Sequence, residues 1–185
     1  MFSDDSCFNL WYHDGRIRVR RYAGERHLPE CIIERHSGRT PAVMVWGAIA
    51  YHGRSQLLRI VGILNSNRYI SEVLQPQAVP FLQRLPGAVF QQDNDRPHIA
   101  RTVQSFFATR QVQLLPWPAY SPDMSPIEHV WDFLAPRPVA SADELWVRIQ
   151  IIWNALPRAD IQNLFDFTPR RVAALIALRG GYTKY

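Results

Sequence analysis

Three acidic residues in this sequence have the types and spacing that metal-dependent phosphoryl chemistry requires. Asp93 lies in the string FQQDNDRPHIA and Glu128 lies in YSPDMSPIEHVW, with 34 residues between the two acids. A third carboxylate, Asp4, lies near the start in FSDDS. Mg²⁺ prefers oxygen ligands, and two ions about 3.5–4 Å apart can hold the attacking and leaving oxygens of a phosphodiester. The acids therefore indicate a two-metal site that cuts and joins phosphodiesters.

Each acid also has a purely structural interpretation. Asp93 could cap the helix that follows it, because Asp is a favoured N-cap residue. Glu128 could be favoured only because a carboxylate in the first turn of a helix complements the helix dipole. Taken singly, both residues fit the structural interpretation better, and only the strings around them favour catalysis.

Predicted elements would hold these acids on rigid supports. A short strand over residues 88–92 is predicted to end at Asp93. Pro97 is expected in the first turn of the next helix, where its missing N–H is harmless. That helix would present one apolar face, formed by Ile99, Val103, Phe106 and Phe107. A later helix is predicted to begin near Pro126, which places Glu128 in its first turn.

Period-two patterns predict further strands. Ile17 and Val19 alternate with three arginines, as in a half-buried strand. Val43 to Tyr51 is apolar and β-prone, and Gln56 to Val61 returns after a His-Gly turn, which indicates a hairpin. Val112 to Leu115 is a further predicted buried strand.

Helical spacing marks the rest of the chain. Tyr69 to Leu85 has this spacing, but Pro76 and Pro80 predict a kink or two short helices. Leu145 to Leu156 is predicted to be helical. A last helix is predicted to open at Thr168 and Pro169, with Val172, Leu175 and Ile176 inward and Gly180-Gly181 at its end. Strands that alternate with helices indicate an α/β fold with a mixed sheet.

Length and composition favour one globular domain over residues 1–185 that binds an acidic partner. The chain is 47% hydrophobic and 20% charged, and no apolar run is long enough for a membrane span, so no membrane partner is expected. The net charge is +5, and Lys184 is the single lysine. Arginine presents a planar fork to phosphate oxygens, which favours nucleic acid as a partner. A merely basic surface is the alternative.

Several arginines are candidates for contacts with a phosphate backbone. Arg16, Arg18 and Arg20 share one face of the predicted strand, although a solvated edge strand explains them equally well. Arg170 and Arg171 are weaker candidates, because they could simply form the exposed side of the last helix.

The strings QQDNDRPHIA and LLPWPAYSPDMSPIEHVWDFL resemble the catalytic core of the mariner-like (Tc/mariner) superfamily of DDE transposases. The ending RRVAALIALRGGYTKY resembles the C-terminal end of the same proteins, and FSDDS resembles their first catalytic motif. In that motif a Glu usually follows the aspartate, whereas this chain has Asp5. The resemblance runs from Phe2 to Tyr185, and SPDMSPIEHVW is its most specific part.

The resemblance implies an RNase H-like fold with a mixed five-stranded sheet flanked by helices. It implies metal-dependent DNA cleavage and strand transfer in cut-and-paste transposition, with two Mg²⁺ or Mn²⁺ ions. Asp4, Asp93 and Glu128 match the metal-binding catalytic acids of the family. Asn94, His98 and His129 match motif positions near that site, with loop tethering as the structural alternative. The implied partners are transposon-end DNA, a TA target and a second copy of the chain in a homodimer.

Relatives with the full architecture carry helix-turn-helix modules before the catalytic domain, and this sequence shows none. We therefore expect a truncated copy, whose shortened first strand leaves its neighbours with exposed edges. The alternatives are a catalytically silent DNA-binding or interaction protein derived from a transposase, and another RNase H-like nuclease or integrase. The implied location is the nucleus in a eukaryotic host and otherwise the interior of the cell.

Overall fold

A central strand organises the sheet in the computed structural model, which describes residues 1–10, 41–118, 121–134 and 139–178. Strand β1 (Phe2–Asn9) pairs antiparallel with β2 (Ala42–Ala50) along its entire length. Two short strands, β3 (Gly53–Arg54) and β4 (Leu58–Ile60), pair with opposite ends of β2. The predicted hairpin is therefore confirmed, with its return arm split in two.

Parallel bridges extend the sheet on the other side of β1. Phe2 pairs with Gln91, and Phe90 pairs with Leu114. The predicted strands at 88–92 and 112–115 are thus reduced to isolated bridges, the first beside β1 and the second beside Phe90, and the sheet is mixed as expected. Leu114 and Leu115 are 37% and 39% exposed, so the prediction that the second strand is buried is wrong. The prediction that a shortened first strand leaves its neighbours with exposed edges is wrong for β2, because β2 pairs with all eight residues of β1.

Alternation along β2 builds a separate apolar core on each face of the sheet. Val43, Val45 and Ile49 join one core, which is completed by α4 (Pro126–Leu134), α5 (Ala142–Ala155) and the start of α6 (Arg158–Ala177). Trp46, Ala48 and Ala50 join the second core on the opposite face, because successive side chains of a strand point to opposite sides. The sheet is therefore buried on both faces and is a rigid support.

The second core is covered by a continuous helical stretch and one separate helix. Helix α1 (Ser66–Arg68) leads into a π-helical segment (Tyr69–Ala78) and then α2 (Val79–Gln83). The predicted interruption by Pro76 takes this form: the amide of Val79 bonds the carbonyl of Leu74, five residues back. The separate helix is α3 (Arg101–Thr109).

Two predicted helix starts are wrong, and each has a local reason. Pro97 lies in a turn before α3, because the amides of His98 and Ile99 bond the carbonyl of Asp95 and the chain is extended at Ala100. Helix α6 begins at Arg158, so that Pro169 lies inside it. The hydroxyl of Thr168 donates to the Leu164 carbonyl in the turn where Pro169 supplies no N–H.

Of the other helix predictions, some are confirmed and some are wrong. Helices α4 and α5 begin and end close to their predicted positions. On α6, however, Val172 and Ile176 are 37% and 71% exposed, so the prediction that they face inward is wrong. The predicted strand at 17–19 and the glycine pair at 180–181 lie outside the described residues. None of the helices in the described ranges is long and apolar enough to cross a membrane.

Gly47 provides a test of how tightly the first core is packed. A Cβ at Gly47 would lie 2.9 Å from Cη2 of both Trp131 and Trp153. We expect Gly47→Ala to lower the free energy of unfolding by about 1–3 kcal/mol, because overpacking forces neighbouring rings or backbone to shift. Urea denaturation measures the loss. The matched control is Gly53→Ala, whose Cβ would meet no atom within 4 Å; equal stability of the two variants would contradict the packing argument.

Candidate active site

Elements that are far apart in the sequence bring the three predicted acids to one cavity. Asp4 lies on β1, Asp93 follows the bridge residue Gln91, and Glu128 lies in the first turn of α4. The cavity has a volume of about 410 Å³. It is lined by Ser3, Asp4, Gln91, Asp93, Asn94, Asp95, Arg96, Trp117, Pro118, Ser121, Pro122, Ser125 and Glu128. Asn94 is thus also at the cavity, as predicted.

Asp4 is the most strongly perturbed of the acids. Burial raises the pKa of Asp4 to about 8, and repulsion by Glu128 acts in the same direction. The Trp131 indole Nε1 donates to Asp4 Oδ2 at 2.9 Å and partly opposes this shift. Burial also raises the pKa of Glu128, whose side chain is hydrogen-bonded to Asp4. Two carboxyl groups can share a hydrogen bond only if one of them carries a proton.

Asp93 differs from Asp4 because His98 compensates its charge. His98 is buried, and its Nδ1 lies in hydrogen-bond contact with Asp93 Oδ1. Burial alone would raise the pKa of Asp93, but the hydrogen bond and charge of His98 outweigh it, so the net shift is downward. The amide of Asp95 also donates to Asp93 Oδ1 at 3.2 Å. Asp93 therefore closes a turn of its own, and the predicted helix-cap alternative is wrong because α3 begins only at Arg101.

His98 also connects the cavity to the opposite face of the sheet. Its Nε2 lies 3.5 Å from Asp5 Oδ1, and its ring lies 4.2 Å from the Tyr69 ring, centroid to centroid. The neighbouring acids on β1 therefore point to opposite sides of the sheet: Asp4 faces Trp131 on one side, and Asp5 faces His98 on the other. This alternation explains why Asp5 does not line the cavity.

Short side-chain bonds hold the loop that carries Asp93. The Asn94 amide donates to the Trp117 carbonyl at 2.8 Å, which matches the loop-tethering alternative for this residue. The Gln92 amide donates to the His98 carbonyl at 3.0 Å, and the Tyr69 hydroxyl donates to Gln92 Oε1 at 2.9 Å. These bonds immobilise the carboxylate before any ligand binds.

Other predicted site residues do not reach the cavity. His129 lies half-buried on α4, where burial and the charge of Arg171 lower its pKa. Arg170 lies over the Phe167 ring on α6, at 5.5 Å from its centroid. Neither Arg170 nor Arg171 lines the cavity. The predictions for Arg16, Arg18 and Arg20 concern residues outside the described ranges.

Sequence reasoning missed one residue that orients Asp4 and two that line the cavity. Trp131 lies three positions after Glu128 on α4, a spacing that places both on one helix face and could have indicated a shared role. Gln91 Oε1 and Ser125 Oγ are buried at the cavity wall without a hydrogen-bond partner among the described residues. Their position depends on the sheet and on the start of α4, so no local signal could have revealed it.

The donor set suits a hard divalent cation. Its side chains offer carboxylate oxygens, which are the ligands that Mg²⁺ and Mn²⁺ prefer. Among the described residues no three His, Cys, Asp or Glu side chains stand close enough to hold an ion as they are. The hydrogen bond between Asp4 and Glu128 occupies carboxylate oxygens that a cation would take. The residue types therefore fit a divalent metal, and the three carboxylates would have to lie closer together to hold it.

Comparison with known proteins gives consistent matches. Residues 1–140 match the family model described as DDE superfamily endonuclease. The chain is 39% identical to the Tc1 transposase of Caenorhabditis elegans over 194 aligned positions, which cover all of this chain and 70% of that protein. It is 37% identical to the Tcb1 transposase of Caenorhabditis briggsae, with the same coverage.

Solved structures of the Mos1 transposase share the fold. The Mos1 strand transfer complex matches with a TM-score of 0.74 at 21% identity, over 99% of this chain and 55% of that one. The Mos1 paired end complex with Mg matches with a TM-score of 0.75 at 20% identity, over 99% of this chain and 56% of that one. This chain thus spans about half the length of the Mos1 chains. At this identity the likeness shows the fold, which is the predicted RNase H-like fold.

The raised pKa of Asp4 makes the stability of the metal-free protein depend on pH. Because this folded-state pKa of about 8 exceeds the ordinary aspartate value of 3.8, protonated Asp4 stabilises the fold at low pH, and this stability is lost as the pH rises to 8. We expect Asp4→Asn, which keeps an oxygen for the Trp131 N–H, to be more stable than the parent at pH 8 by about 2 kcal/mol or more, and the gap to shrink towards pH 5. Urea unfolding in EDTA measures both. Asp143→Asn, at an exposed ion pair with Arg59, is the control; a gap for Asp4→Asn that is independent of pH would contradict the assignment.

Proposed function

This chain belongs to the DDE superfamily endonuclease family, as a Tc1/mariner-type transposase catalytic domain, and we propose that Asp4, Asp93 and Glu128 are its metal-binding catalytic acids. One observation carries the proposal. Acids that lie on a central strand, after a second strand and on a helix all line the same cavity. No packing requirement explains why carboxylates should be gathered there, since burial and repulsion by Glu128 raise the pKa of Asp4, and burial and nearby acids raise the pKa of Glu128.

The three carboxylates would hold two Mg²⁺ or Mn²⁺ ions. When bound, such a pair activates a water or a 3′-hydroxyl for attack on a phosphodiester and stabilises the charge on the leaving oxygen. The chain itself positions the oxygens. The indole of Trp131 orients Asp4, and His98 holds Asp93 in its ionised form. Glu128 gives up the hydrogen bond that it shares with Asp4, so metal binding releases a proton at neutral pH.

DNA is the substrate that this site and these relatives support. The Mos1 structures include a paired end complex with a transposon end, a strand transfer complex, and complexes with Mg and with Mn. By analogy we propose that this catalytic domain supplies DNA strand cleavage and the joining of the free 3′-hydroxyl to a TA target, while the choice of transposon ends depends on a separate DNA-binding module. We further propose that the protein acts as a homodimer and, in a eukaryotic host, in the nucleus. The net charge of +5 supports a polyanionic partner.

Loss of either acid should abolish metal-dependent cleavage. We expect Asp93→Asn and Glu128→Gln to reduce nicking of plasmid DNA in Mn²⁺ or Mg²⁺ by about a thousandfold, because metal-ion catalysis contributes several kcal/mol and each tenfold corresponds to about 1.4 kcal/mol. Asp143→Asn, a carboxylate remote from the cavity, is the control and should nick at the parent rate.

Metal binding provides a second readout that does not depend on turnover. Calorimetric titration with Mn²⁺ should show binding to the parent chain, with proton release, and none to the two acid variants. If the parent binds metal and DNA but does not nick DNA, the chain is the catalytically silent DNA-binding protein named as the alternative. If substitution of both acids leaves nicking unchanged, these acids have no part in the mechanism.

Binding to DNA should be electrostatic and insensitive to sequence. Contacts from arginine to phosphate carry no base information, so a transposon-end duplex and a scrambled duplex are expected to bind this chain equally. Affinity should fall steeply between about 50 and 200 mM salt, because each phosphate contact releases counterions. Fluorescence anisotropy with the two duplexes measures both effects. A preference for the end sequence that persists at the higher salt would reveal a base-reading surface and contradict this prediction.

A further inference from the structure

A second and larger cavity lies away from the acids and is rich in arginine. It has a volume of about 810 Å³ and shares no residue with the acidic cavity. Its lining comprises His52, Gly53, Arg54, Ser55, Gln56, Pro76, Gln77, Pro80, Phe81, Arg84, Asn154 and Arg158. We call it the arginine cleft. None of these described lining residues is acidic, so three guanidinium groups and a histidine share a space without a carboxylate.

Arg54 is built into the floor of the cleft. Its guanidinium Nη1 donates to the Leu156 carbonyl at 2.6 Å, and its Nη2 donates to the Asn154 carbonyl. These carbonyls belong to the C-terminal end of α5, where a cation is favoured by the helix dipole. Burial lowers the pKa of Arg54, which is the direction expected for a cation withdrawn from water without a paired carboxylate. Arg54 thus holds the wall of the cleft against α5, and no carboxylate among the described residues pairs with its positive charge.

The other two arginines are held towards the same space by neutral partners. Arg158 Nη2 lies 2.9 Å from Nδ1 of His52. The Arg84 guanidinium lies 5.5 Å above the Phe81 ring, an arrangement that positions a cation without neutralising it. Elsewhere the described arginines Arg59, Arg68 and Arg148 each form an ion pair with an acid. Arg110 and Arg170 also lie over aromatic rings, each on a separate part of the surface. What distinguishes the arginine cleft is that three guanidinium groups line one cavity whose described lining contains no carboxylate.

The cleft has a defined position relative to the acids. Gly47 pairs with Asp4, and His52 follows Gly47 by five positions at the turn after β2. Gly47 to Ala50 span roughly 10 Å of strand, and the turn at Tyr51 and His52 follows, so the cleft lies beyond the end of β2 from Asp4. The cleft is also lined by Arg158, the first residue of the twenty-residue helix α6, whose N-cap Pro157 provides no side-chain acceptor. The positive end of that helix adds to the potential, and Asp160 in its first turn does not line the cleft.

We propose that the arginine cleft binds the phosphate backbone of duplex DNA at a distance from the cleavage site. This inference rests on the proposed function, since it assigns a further contact to the same DNA-processing protein. Arg84 and Arg158 contact the phosphates, and Arg54 holds the wall between them. The cations come from β3, from the end of α2 and from the start of α6, so they are spread along an open cleft. Such spacing suits a row of phosphates better than a single free phosphate ion.

The test measures the affinity and salt dependence of duplex binding by Arg84→Gln and Arg158→Gln. Each variant should lose about threefold to tenfold in affinity for a fluorescein-labelled duplex at low salt, and the slope of log affinity against log salt should become shallower by about 1. Arg54 is left unchanged because its bonds to α5 are structural. Circular dichroism melts confirm that the variants fold.

Arg110→Gln is a matched control. Arg110 lies over the Phe106 ring at 5.6 Å at the end of α3, as Arg84 lies over Phe81 at the end of α2, but it does not line the cleft. We expect its affinity and salt slope to equal those of the parent. If Arg110→Gln weakens binding as much as the cleft variants do, the effect is one of net charge and the cleft assignment is wrong.

Two further measurements distinguish a DNA site from a free-phosphate site, and the cleft proposal from the proposed function. Sodium phosphate and pyrophosphate at matched ionic strength should compete no better than chloride; selective competition that vanishes in Arg84→Gln would show a free-phosphate site and overturn the assignment to DNA. Metal-dependent nicking is measured on the same preparations of the parent chain. Nicking with cleft variants that bind like the parent overturns the cleft while the proposed function stands. Cleft-dependent binding without nicking supports the cleft and counts against catalysis.

Discussion

The register between β1 and β2 is the constraint on which the site depends. Asp4 pairs with Gly47, and this position has no side chain to compete with the two tryptophans that pack there. A slip of one residue would turn Asp4 to the opposite face of the sheet and bring Asp5 to the Trp131 side. The apolar residues of β2 prevent such a slip, because they belong to different cores according to their parity. The packing of the two apolar cores thereby fixes the position of the Asp4 carboxylate, although that carboxylate does not contribute to either core.

That carboxylate is held at an electrostatic cost that the surrounding groups only partly offset. Asp93 is stabilised as an anion by His98, whereas Asp4 has one indole N–H and three acidic neighbours, Glu128, Asp5 and Asp93 itself. The same cavity therefore contains one carboxylate with a lowered pKa, Asp93, and two with raised pKa values, Asp4 and Glu128. A divalent cation would remove this asymmetry, because its positive charge would take the place of the proton that Asp4 and Glu128 share. Strain of this kind at a preorganised site is typical where binding energy is used for function instead of stability.

The two cavities show how one rigid sheet can separate different tasks. The acidic cavity lies where β1, α4 and the Asp93 loop meet, and the arginine cleft lies beyond the turn that follows β2. Strand β2 connects them, since it pairs with the strand of Asp4 and leads into β3, which carries Arg54. Because both faces of this strand are buried, the distance between the cavities is set by its covalent length and not by a flexible linker.

Sequence by itself determined the features that depend on near neighbours. Apolar spacing predicted α5, the β2 hairpin followed from alternation and a turn, and the helix-start signal at Pro126 predicted α4 with Glu128 in its first turn. Local rules failed at Pro97 and Pro169, where backbone and side-chain hydrogen bonds in the same turn decided where α3 begins and how α6 continues.

Only the tertiary structure decided which distant groups meet. Trp131 reaches Asp4 across 127 positions, and Arg54 reaches Leu156 across 102. Such contacts form because whole helices and strands bury their apolar faces against one another. The free energy of that burial depends on the entire fold, so no short segment of sequence indicates which distant residues will meet. The types of the acidic side chains at the cavity could therefore be read from the sequence, whereas their charges, their orienting partners and the arginine cleft were products of the fold.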